Sequence, residues 1–168
     1  MYPIALDVTR IPILLIGSGE LLVRRHRQLE EYGAAKVTVK ENPSPEELAN
    51  ATIVMVAGLP RTQAEHIVRE AHTLGKLVNV EDINDLCDFY FTANVRRGDL
   101  VIAVSTSGAS PTLARKIRDW IAAQFGEEWA GRLGEISQLR KTCKAQGADM
   151  KEVVMATERH VAEKRWLA

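Results

Sequence analysis

Apolar residues in the first half of the chain alternate between short continuous runs and helical spacing. Ile11–Ile16 is a continuous apolar run, as expected for a parallel strand buried on both faces, and further strands are predicted over Lys36–Val39, Thr52–Val56 and Leu77–Val80. Helices are predicted between them, over Glu20–Tyr32, after the capping-box pair Ser44 and Glu47, and over Arg61–Leu74. This alternation predicts an α/β fold with a parallel sheet and right-handed crossovers.

The pattern of the second half differs, because helical spacing replaces the alternation. Its first predicted elements are strands at Phe89–Phe91 and Leu100–Val104 and a helix from about Ser110 to Phe125. From Glu127 onward the pattern is helical only, with an interruption near Gln146–Asp149. The sequence therefore predicts an α/β domain over residues 1–108 and a helical C-terminal region over residues 109–168.

Composition narrows the class of protein. The 168 residues carry 22 Lys and Arg against 22 Asp and Glu, so no global charge favours nucleic acid or an anionic membrane as a partner. Two cysteines, Cys87 and Cys143, are too few for a disulfide framework and fit a reducing compartment. No apolar run is long enough to span a membrane, and the first residues do not resemble a signal peptide. We expect a cytoplasmic protein.

The first strand runs into a Gly-x-Gly turn that opens a helix. Gly17 permits the tight turn, and Gly19 lets the backbone approach a pyrophosphate at the helix N-terminus. The third small position of this fingerprint is filled by Leu22. The turn predicts a dinucleotide site, and the alternative is a plain strand–helix turn. At the end of the second strand, Lys40 would favour a 2′-phosphate and Glu41 a ribose hydroxyl, or both are simply solvated.

Asp82 follows the strand Leu77–Val80, where the carboxyl ends of parallel strands meet a substrate. A carboxylate there can act as a general base or orient a polar substrate. The alternative is a turn residue, and the nearby Asp85 and Asp88 are expected to be surface residues of that turn. The four histidines have no spacing with Cys, Asp or Glu that predicts a metal site.

A second candidate site is the loop Ser105–Pro111 (STSGASP), where a strand passes into a helix. Hydroxyl and backbone N–H groups at such a turn suit carboxylate or phosphate groups. Ser110 is the predicted N-cap, which is expected to leave Thr106, Ser107 and Gly108 free for a ligand.

Taken in order, these segments resemble a known family. YPIALDV, the strand–GSG turn, VNVED, DFYFTANVRRGDLVIAVSTSGASPTLARKIR and the helical tail are similar to the precorrin-2 dehydrogenase / siroheme synthase N-terminal domain family. The resemblance is densest from Asn79 to Arg118. It implies a Rossmann-type NAD-binding domain, a dimerisation region with strands at about residues 89–104, and a homodimer.

The resemblance also implies an activity and a set of site residues. Members oxidise precorrin-2 to sirohydrochlorin with NAD, and some also insert Fe²⁺ as a second substrate. The family's catalytic aspartate closes an Asn-Val-x-Asp motif, which places that role on Asp82. The predicted NAD-binding residues are Gly17, Ser18, Gly19, Glu20, Leu21, Ala57, Gly58, Asn79 and Val80. The predicted tetrapyrrole-binding residues are Ser105, Thr106, Ser107, Gly108 and Ser110.

The chain departs from the family mostly on the cofactor side. Leu21-Leu22 replaces the family's Val-Ala, and Ala57-Gly58-Leu59-Pro60 replaces its Ala-Thr-Asp-Asp. Thr92 stands where the family has proline, and the segment between Val39 and Thr52 is shorter. These departures leave an alternative function open, a diverged homologue that binds or chelates tetrapyrrole without NAD turnover. A dimeric scaffold without a ligand is disfavoured, since it has no use for Asp82 or the Ser/Thr loop.

Overall fold

The computed structural model describes residues 2–167, which divide into two compact units after Phe91. The strands of the first unit are β1 (Ile13–Gly17), β2 (Val37–Lys40), β3 (Ile53–Ala57) and β4 (Leu77–Val80). Its helices are α1 (Gly19–Glu31), α2 (Pro45–Asn50) and α3 (Arg61–Thr73), followed by a 3₁₀ helix at Asn84–Leu86. All strand pairs in this sheet are parallel, in the order β2-β1-β3-β4. The predicted α/β fold is confirmed.

The two central strands carry the core of the first unit. Every residue of β1 and β3 is buried, which explains why both read as continuous apolar runs. On one face Leu14 and Val54 pack in a cluster that includes Ala64, Val68 and Ala71 of α3. On the other face Ile13 and Met55 pack with Leu29 of α1. The edge strand β2 is largely exposed and has no such run.

The second unit is a hairpin with three helices. Its elements are β5 (Ala93–Arg97), β6 (Leu100–Val104), α4 (Pro111–Gln124), α5 (Glu128–Ala145) and α6 (Met150–Glu163). The two strands pair antiparallel with each other, and the hairpin contacts α4 and α5. The helical C-terminal region is confirmed. No helix among residues 2–167 combines the length and the apolar character that crossing a membrane requires.

The division between the units differs from the predicted domain ranges. The predicted first range, 1–108, included the dimerisation strands at about 89–104, whereas β5 and β6 form their own two-stranded sheet within the second unit. The outermost residues of the predicted ranges, Met1 and Ala168, lie outside the described residues.

The predicted strand at Phe89–Phe91 is wrong. This segment is held to β4 by one backbone bond, from Asp88 N to Val78 O (2.8 Å), and by the Asn79 side chain, whose Nδ2 donates to Phe89 O (2.8 Å). A ladder of backbone bonds is therefore not formed. The aromatic residues pack instead, Phe89 against the α1 side of the core and Phe91 beneath the Arg25 guanidinium (3.7 Å). Their apolar character reflects packing and not strand pairing.

The turns that follow β1 and β3 lie against each other. Ser18 N donates to Ala57 O (3.3 Å). A Cβ added to Gly17 would overlap the carbonyl oxygen of Ala57, and one added to Gly58 would overlap that of Ser18. Gly58 also has a left-handed φ of 75°. Both glycines are therefore required by contact between two backbones.

This contact predicts a large difference between two Gly→Ala substitutions. At Gly75 (φ 68°) an added Cβ meets nothing within 4 Å, so Gly75→Ala should cost about 1 kcal/mol from backbone strain alone. Gly58→Ala adds an overlap with backbone and should cost roughly 3 kcal/mol or more. Urea unfolding of the three proteins measures the difference. Equal losses for the two variants would mean that the turn contact contributes no stability.

Candidate functional site

The ends of β1, β3 and β4 bring the predicted cofactor residues to one edge of the sheet. The register aligns Gly17 with Ala57, and Val56 with Val80. Because the strands are parallel, their carboxyl ends lie together, and the residues that follow each strand share this edge. The structure thus collects Gly17, Ser18, Gly19, Glu20, Leu21, Ala57, Gly58, Asn79, Val80 and Asp82 within the first unit.

The turn after β1 has open space and backbone donors. Gly19 has a φ of 74°, and a Cβ there would meet nothing within 4 Å. Ser18 is the N-cap of α1, but its side chain makes no capping hydrogen bond. The N–H groups of the first helical turn are therefore not satisfied by a cap side chain, as an anion site at a helix N-terminus requires. A groove of about 640 Å³ begins at Gly19 and follows the first turns of α1 as far as Arg27.

Hydrogen bonds from side chains connect the end of β4 to the segment that follows it. Asn79 is buried, and its amide is engaged by Phe89 O as described above. Cys87 Sγ lies 3.2 Å from both Val80 N and Val80 O. Burial raises the pKa of the Cys87 thiol, so it stays protonated and can donate to the carbonyl. Contact of Asn79 and Val80 with a cofactor stays a prediction.

Asp82 occupies a strained turn. Ile83 N donates to Val80 O (3.3 Å), which closes a turn with Asp82 at its third position, and the φ of Asp82 is 62°. A side chain in this left-handed region costs about 1 kcal/mol, although Asp tolerates it better than most residues. The carboxylate itself is exposed to solvent. A strained, exposed carboxylate at the carboxyl edge of a parallel sheet is the arrangement that chemistry at a bound ligand would use.

Glu81, the neighbour of Asp82, is half-buried, and its side chain takes part in an ion-pair network that the sequence patterns did not reveal. Its carboxylate accepts hydrogen bonds from Arg25 and from Arg24 Nη2 (2.5 Å), and its side chain is only 9% exposed. Burial by itself would raise the pKa of Glu81, but the bonds and charges of Arg25 and Arg24 outweigh it and lower the pKa. Glu81 is therefore ionised. No periodicity marks Arg24, Arg25 or Glu81 as partners, because the pairing joins residues far apart in the chain.

The two other aspartates of this region lie at the surface, as predicted, and both have partners. Asp88 Oδ2 accepts from Val78 N (2.8 Å) and lies 2.9 Å from His72 Nε2, so it fastens its segment to the start of β4. Asp85 pairs with Arg61, which lowers the pKa of Asp85. The sequence did not predict these structural roles.

The Ser105–Pro111 loop lies in the second unit, between β6 and α4. Ser110 Oγ accepts from Leu113 N (3.1 Å), so its role as N-cap is confirmed. Thr106 was expected to be free, but its hydroxyl donates to Ser110 O and accepts from Ser110 N, both at 3.1 Å. Ser107 (φ 52°) and Gly108 (φ 84°) form an exposed, left-handed tip, and Ser107 N donates to Ser105 Oγ (3.2 Å).

At the end of β2, the positive charge of Lys40 is compensated by an ion pair with Glu47. Lys40 Nζ lies 2.7 Å from Glu47 Oε1, and this hydrogen bond lowers the pKa of Glu47. Glu41 is exposed beside this pair. A groove of about 590 Å³ begins at Glu41, runs along Asn42–Pro45 and is closed by residues of α3 such as Ile67. The sequence analysis did not predict this groove, because it depends on how α2 and α3 pack.

Comparisons with known proteins agree with this geometry. The family described as putative NAD(P)-binding matches residues 4–93, and the family described as sirohaem biosynthesis protein central matches residues 97–124. A siroheme synthase of Ectopseudomonas mendocina is 35% identical over 138 residues, which are 69% of this chain and 30% of that protein. A siroheme synthase of Zymomonas mobilis is 28% identical over 155 residues, which are 80% of this chain and 33% of that protein. The chain thus spans about a third of the length of these curated relatives.

A solved structure shows the same fold. A precorrin-2 dehydrogenase, SirC, aligns over 100% of this chain and 93% of its own, with a TM-score of 0.77 and 20% sequence identity. The first unit, with its open Gly-x-Gly turn, coincides with the NAD(P)-binding match, and the hairpin–helix part coincides with the sirohaem match. The chain belongs to the precorrin-2 dehydrogenase / siroheme synthase N-terminal domain family, whose first part is an NAD(P)-binding domain.

Proposed function

We propose that this protein is an NAD-dependent precorrin-2 dehydrogenase that forms sirohydrochlorin in siroheme biosynthesis. The observation that carries the proposal is Asp82, an exposed carboxylate in a left-handed turn at the sheet edge that also holds the open Gly19 turn. The names of the relatives, siroheme synthase and precorrin-2 dehydrogenase, support the same reaction.

The residues at the β1 turn fit a dinucleotide. The missing Cβ at Gly19 leaves space for a pyrophosphate against the backbone, and the uncapped N–H groups of α1 can donate to it. Ser18, Glu20 and Leu21 continue this turn. Ala57 and Gly58 support the turn from β3, since Gly58 packs against Ser18. When bound, the nicotinamide cofactor supplies the hydride acceptor.

The charges at the end of β2 favour NAD over NADP. The ammonium group of Lys40 is already neutralised by Glu47 at 2.7 Å, so it offers little attraction to a 2′-phosphate. The exposed carboxylate of Glu41 would repel a phosphate dianion but can accept a hydrogen bond from a ribose hydroxyl. The groove that begins at Glu41 and reaches α3 is the place for the adenosine part.

Asp82 acts as the general base. Removal of a hydride and a proton from precorrin-2 gives sirohydrochlorin, and the exposed carboxylate of Asp82 accepts that proton. Because Asp82 is in contact with solvent, it can return the proton to water after each turnover. In the second unit, the exposed tip is proposed to bind a tetrapyrrole carboxylate through the Ser107 hydroxyl and the Gly108 N–H, since the Thr106 hydroxyl and the Ser107 N–H are engaged within the loop.

The residues of the turn after β3 favour a second candidate function. Gly58, Leu59 and Pro60 offer no side-chain hydrogen-bonding group to a cofactor. A diverged homologue that binds tetrapyrrole, or inserts Fe²⁺ as a substrate while Asp82 takes the pyrrole protons, needs no such group. Cofactor affinity separates the two functions.

Binding of NAD⁺ should depend on Gly19 and not on a matched glycine. Gly19→Asp places a carboxylate against the pyrophosphate and should weaken NAD⁺ binding by about tenfold or more. Gly75→Asp adds the same side chain at a similar φ (68° against 74°) before β4, at the opposite edge, and should leave affinity unchanged. Calorimetric titration with NAD⁺ and NADP⁺ measures both, and NAD⁺ should bind more tightly. Absence of NAD⁺ binding by the unaltered protein would support the diverged homologue.

Turnover should depend on the Asp82 carboxylate. Asp82→Asn is the informative substitution, because Asn tolerates a left-handed φ whereas Ala adds strain. The rate of sirohydrochlorin formation should fall roughly 10²-fold or more, the loss expected for a general base. The measurement is the absorbance change of precorrin-2 with NAD⁺, with the melting temperature as the control for folding. Near-normal turnover in the variant would leave Asp82 as a turn residue only.

We propose that the protein is a homodimer. One face of α4 exposes Leu113, Ile117 and Trp120, which recur at helical spacing, and Trp120 is 67% exposed. An exposed apolar stripe of this kind marks an interaction surface, and the resemblance to a dimeric family supports a second copy as the occupant.

Sedimentation velocity tests this state. The unaltered protein should sediment as a dimer at micromolar concentration, and Trp120→Glu should shift it toward the monomer, since a charge would then be buried in the interface. Leu74→Glu, which alters an exposed apolar residue of the first unit outside α4 and outside residues 89–104, is the control and should stay dimeric. A monomer for the unaltered protein would refute the assignment.

A further inference from the structure

The carboxylate before Asp82 is one of the most enclosed charges of the first unit. Glu81 exposes 9% of its side chain, and Arg25 exposes 11%. Arg24 reaches the second oxygen, Oε1, at 2.5 Å, while Arg25 donates from both Nε (3.1 Å) and Nη2 to Oε2. Three donor groups thus hold one carboxylate in a single orientation, which is more restraint than a surface ion pair provides.

The arginine side of this cluster is itself fixed. The Arg25 guanidinium lies 3.7 Å over the centre of the Phe91 ring and also donates to Gln28 Oε1 (2.5 Å). Stacking and hydrogen bonding on the same planar group leave it little rotational freedom. Glu81 therefore binds to a rigid partner, and its position is determined by α1.

The main chain around Asp82 is anchored on both sides. Before it, Glu81 N donates to Val56 O (2.8 Å) in β3. After it, Ile83 N donates to Val80 O (3.3 Å), and Ile83 O lies 3.4 Å from Cys87 Sγ. Asp82 lies between these anchors with the unfavourable φ of 62°. A strained residue keeps such a φ only where its neighbours are held in place.

We propose that Glu81 is a positioning residue, clamped by Arg24 and Arg25 of α1, that holds the Asp82 turn in register with the helix that begins in the Gly19 turn. This inference rests on the proposed function for its catalytic consequence. The helix α1 starts at Gly19, where the pyrophosphate would bind, and it carries both arginines. The clamp is therefore the direct side-chain link between the dinucleotide turn and the proposed base.

The test compares Glu81→Gln with a matched control. Glu81→Gln keeps the shape of the side chain and removes its charge. Asp85→Asn makes the same chemical change at Asp85, whose ion pair with Arg61 joins α3 to the same loop but does not flank Asp82. Three quantities are measured for each: kcat for precorrin-2 oxidation, Kd for NAD⁺, and amide hydrogen exchange of residues 81–83 in the cofactor-free protein.

For Glu81→Gln we expect kcat to fall between about tenfold and a hundredfold, because a displacement of the base by an ångström has that effect. Kd for NAD⁺ should stay within about twofold, and residues 81–83 should exchange faster. Asp85→Asn should match the unaltered protein in all three. A Glu81→Gln protein with normal kcat and normal exchange would overturn the inference. So would a parallel loss of NAD⁺ affinity, kcat and melting temperature, which indicates a merely structural role.

A second variant covers the case in which Glu81→Gln does not fold, since it leaves Arg25 enclosed without its partner. Arg25→Met/Glu81→Gln removes both charges and should fold, yet kcat should stay low and exchange of residues 81–83 fast. Normal kcat in this double variant would overturn the clamp. If the unaltered protein does not oxidise precorrin-2, the proposed function fails by itself, and the exchange comparison still decides whether Glu81 holds the turn.

Discussion

The backbone contact between the turns after β1 and β3 is the constraint on which the site depends. Gly17 lies against Ala57 O and Gly58 against Ser18 O, so the two turns form one surface with no side chain between them. This contact sets the direction in which α1 leaves the sheet, and therefore where Gly19, Arg24 and Arg25 lie. Two of the three glycines predicted to bind the cofactor, Gly17 and Gly58, are required by this contact. Of these three, only Gly19 has open space where a side chain would begin.

Much of the fold could be predicted because strands that are buried on both faces are apolar at nearly every position. The runs that became β1 and β3 are apolar throughout, since helices cover both sides of these strands. The capping box at Ser44 and Glu47 and the N-cap at Ser110 were also predictable, because a cap involves residues only three positions apart. The strand predicted at Phe89–Phe91 was wrong because aromatic residues are typical of strands, whereas here Phe89 packs onto the core and Phe91 onto Arg25.

The site could be predicted only in part, because its residues act through contacts between distant segments. Asp82 could be predicted as a candidate site residue because it follows a buried strand. The pairing of Glu81 with Arg24 and Arg25 joins residues 57 and 56 positions apart, and no local pattern signals it. Thr106 was misjudged because its partner, Ser110, became visible only when the loop conformation was known. The groove beside Glu41 depends on helix packing in the same way.

The left-handed φ of Asp82 bears on how such a protein would change over time. At this position glycine has no Cβ to strain, and asparagine is accommodated well, so aspartate is not the residue that the backbone alone would retain. Natural selection for stability alone would let position 82 drift toward those two residues. A descendant freed from catalysis should lose its carboxylate here early, before its core changes, because this replacement carries no folding cost. If Asp82 is the proposed base, the side chain at this position records whether a member of the lineage still carries out that reaction.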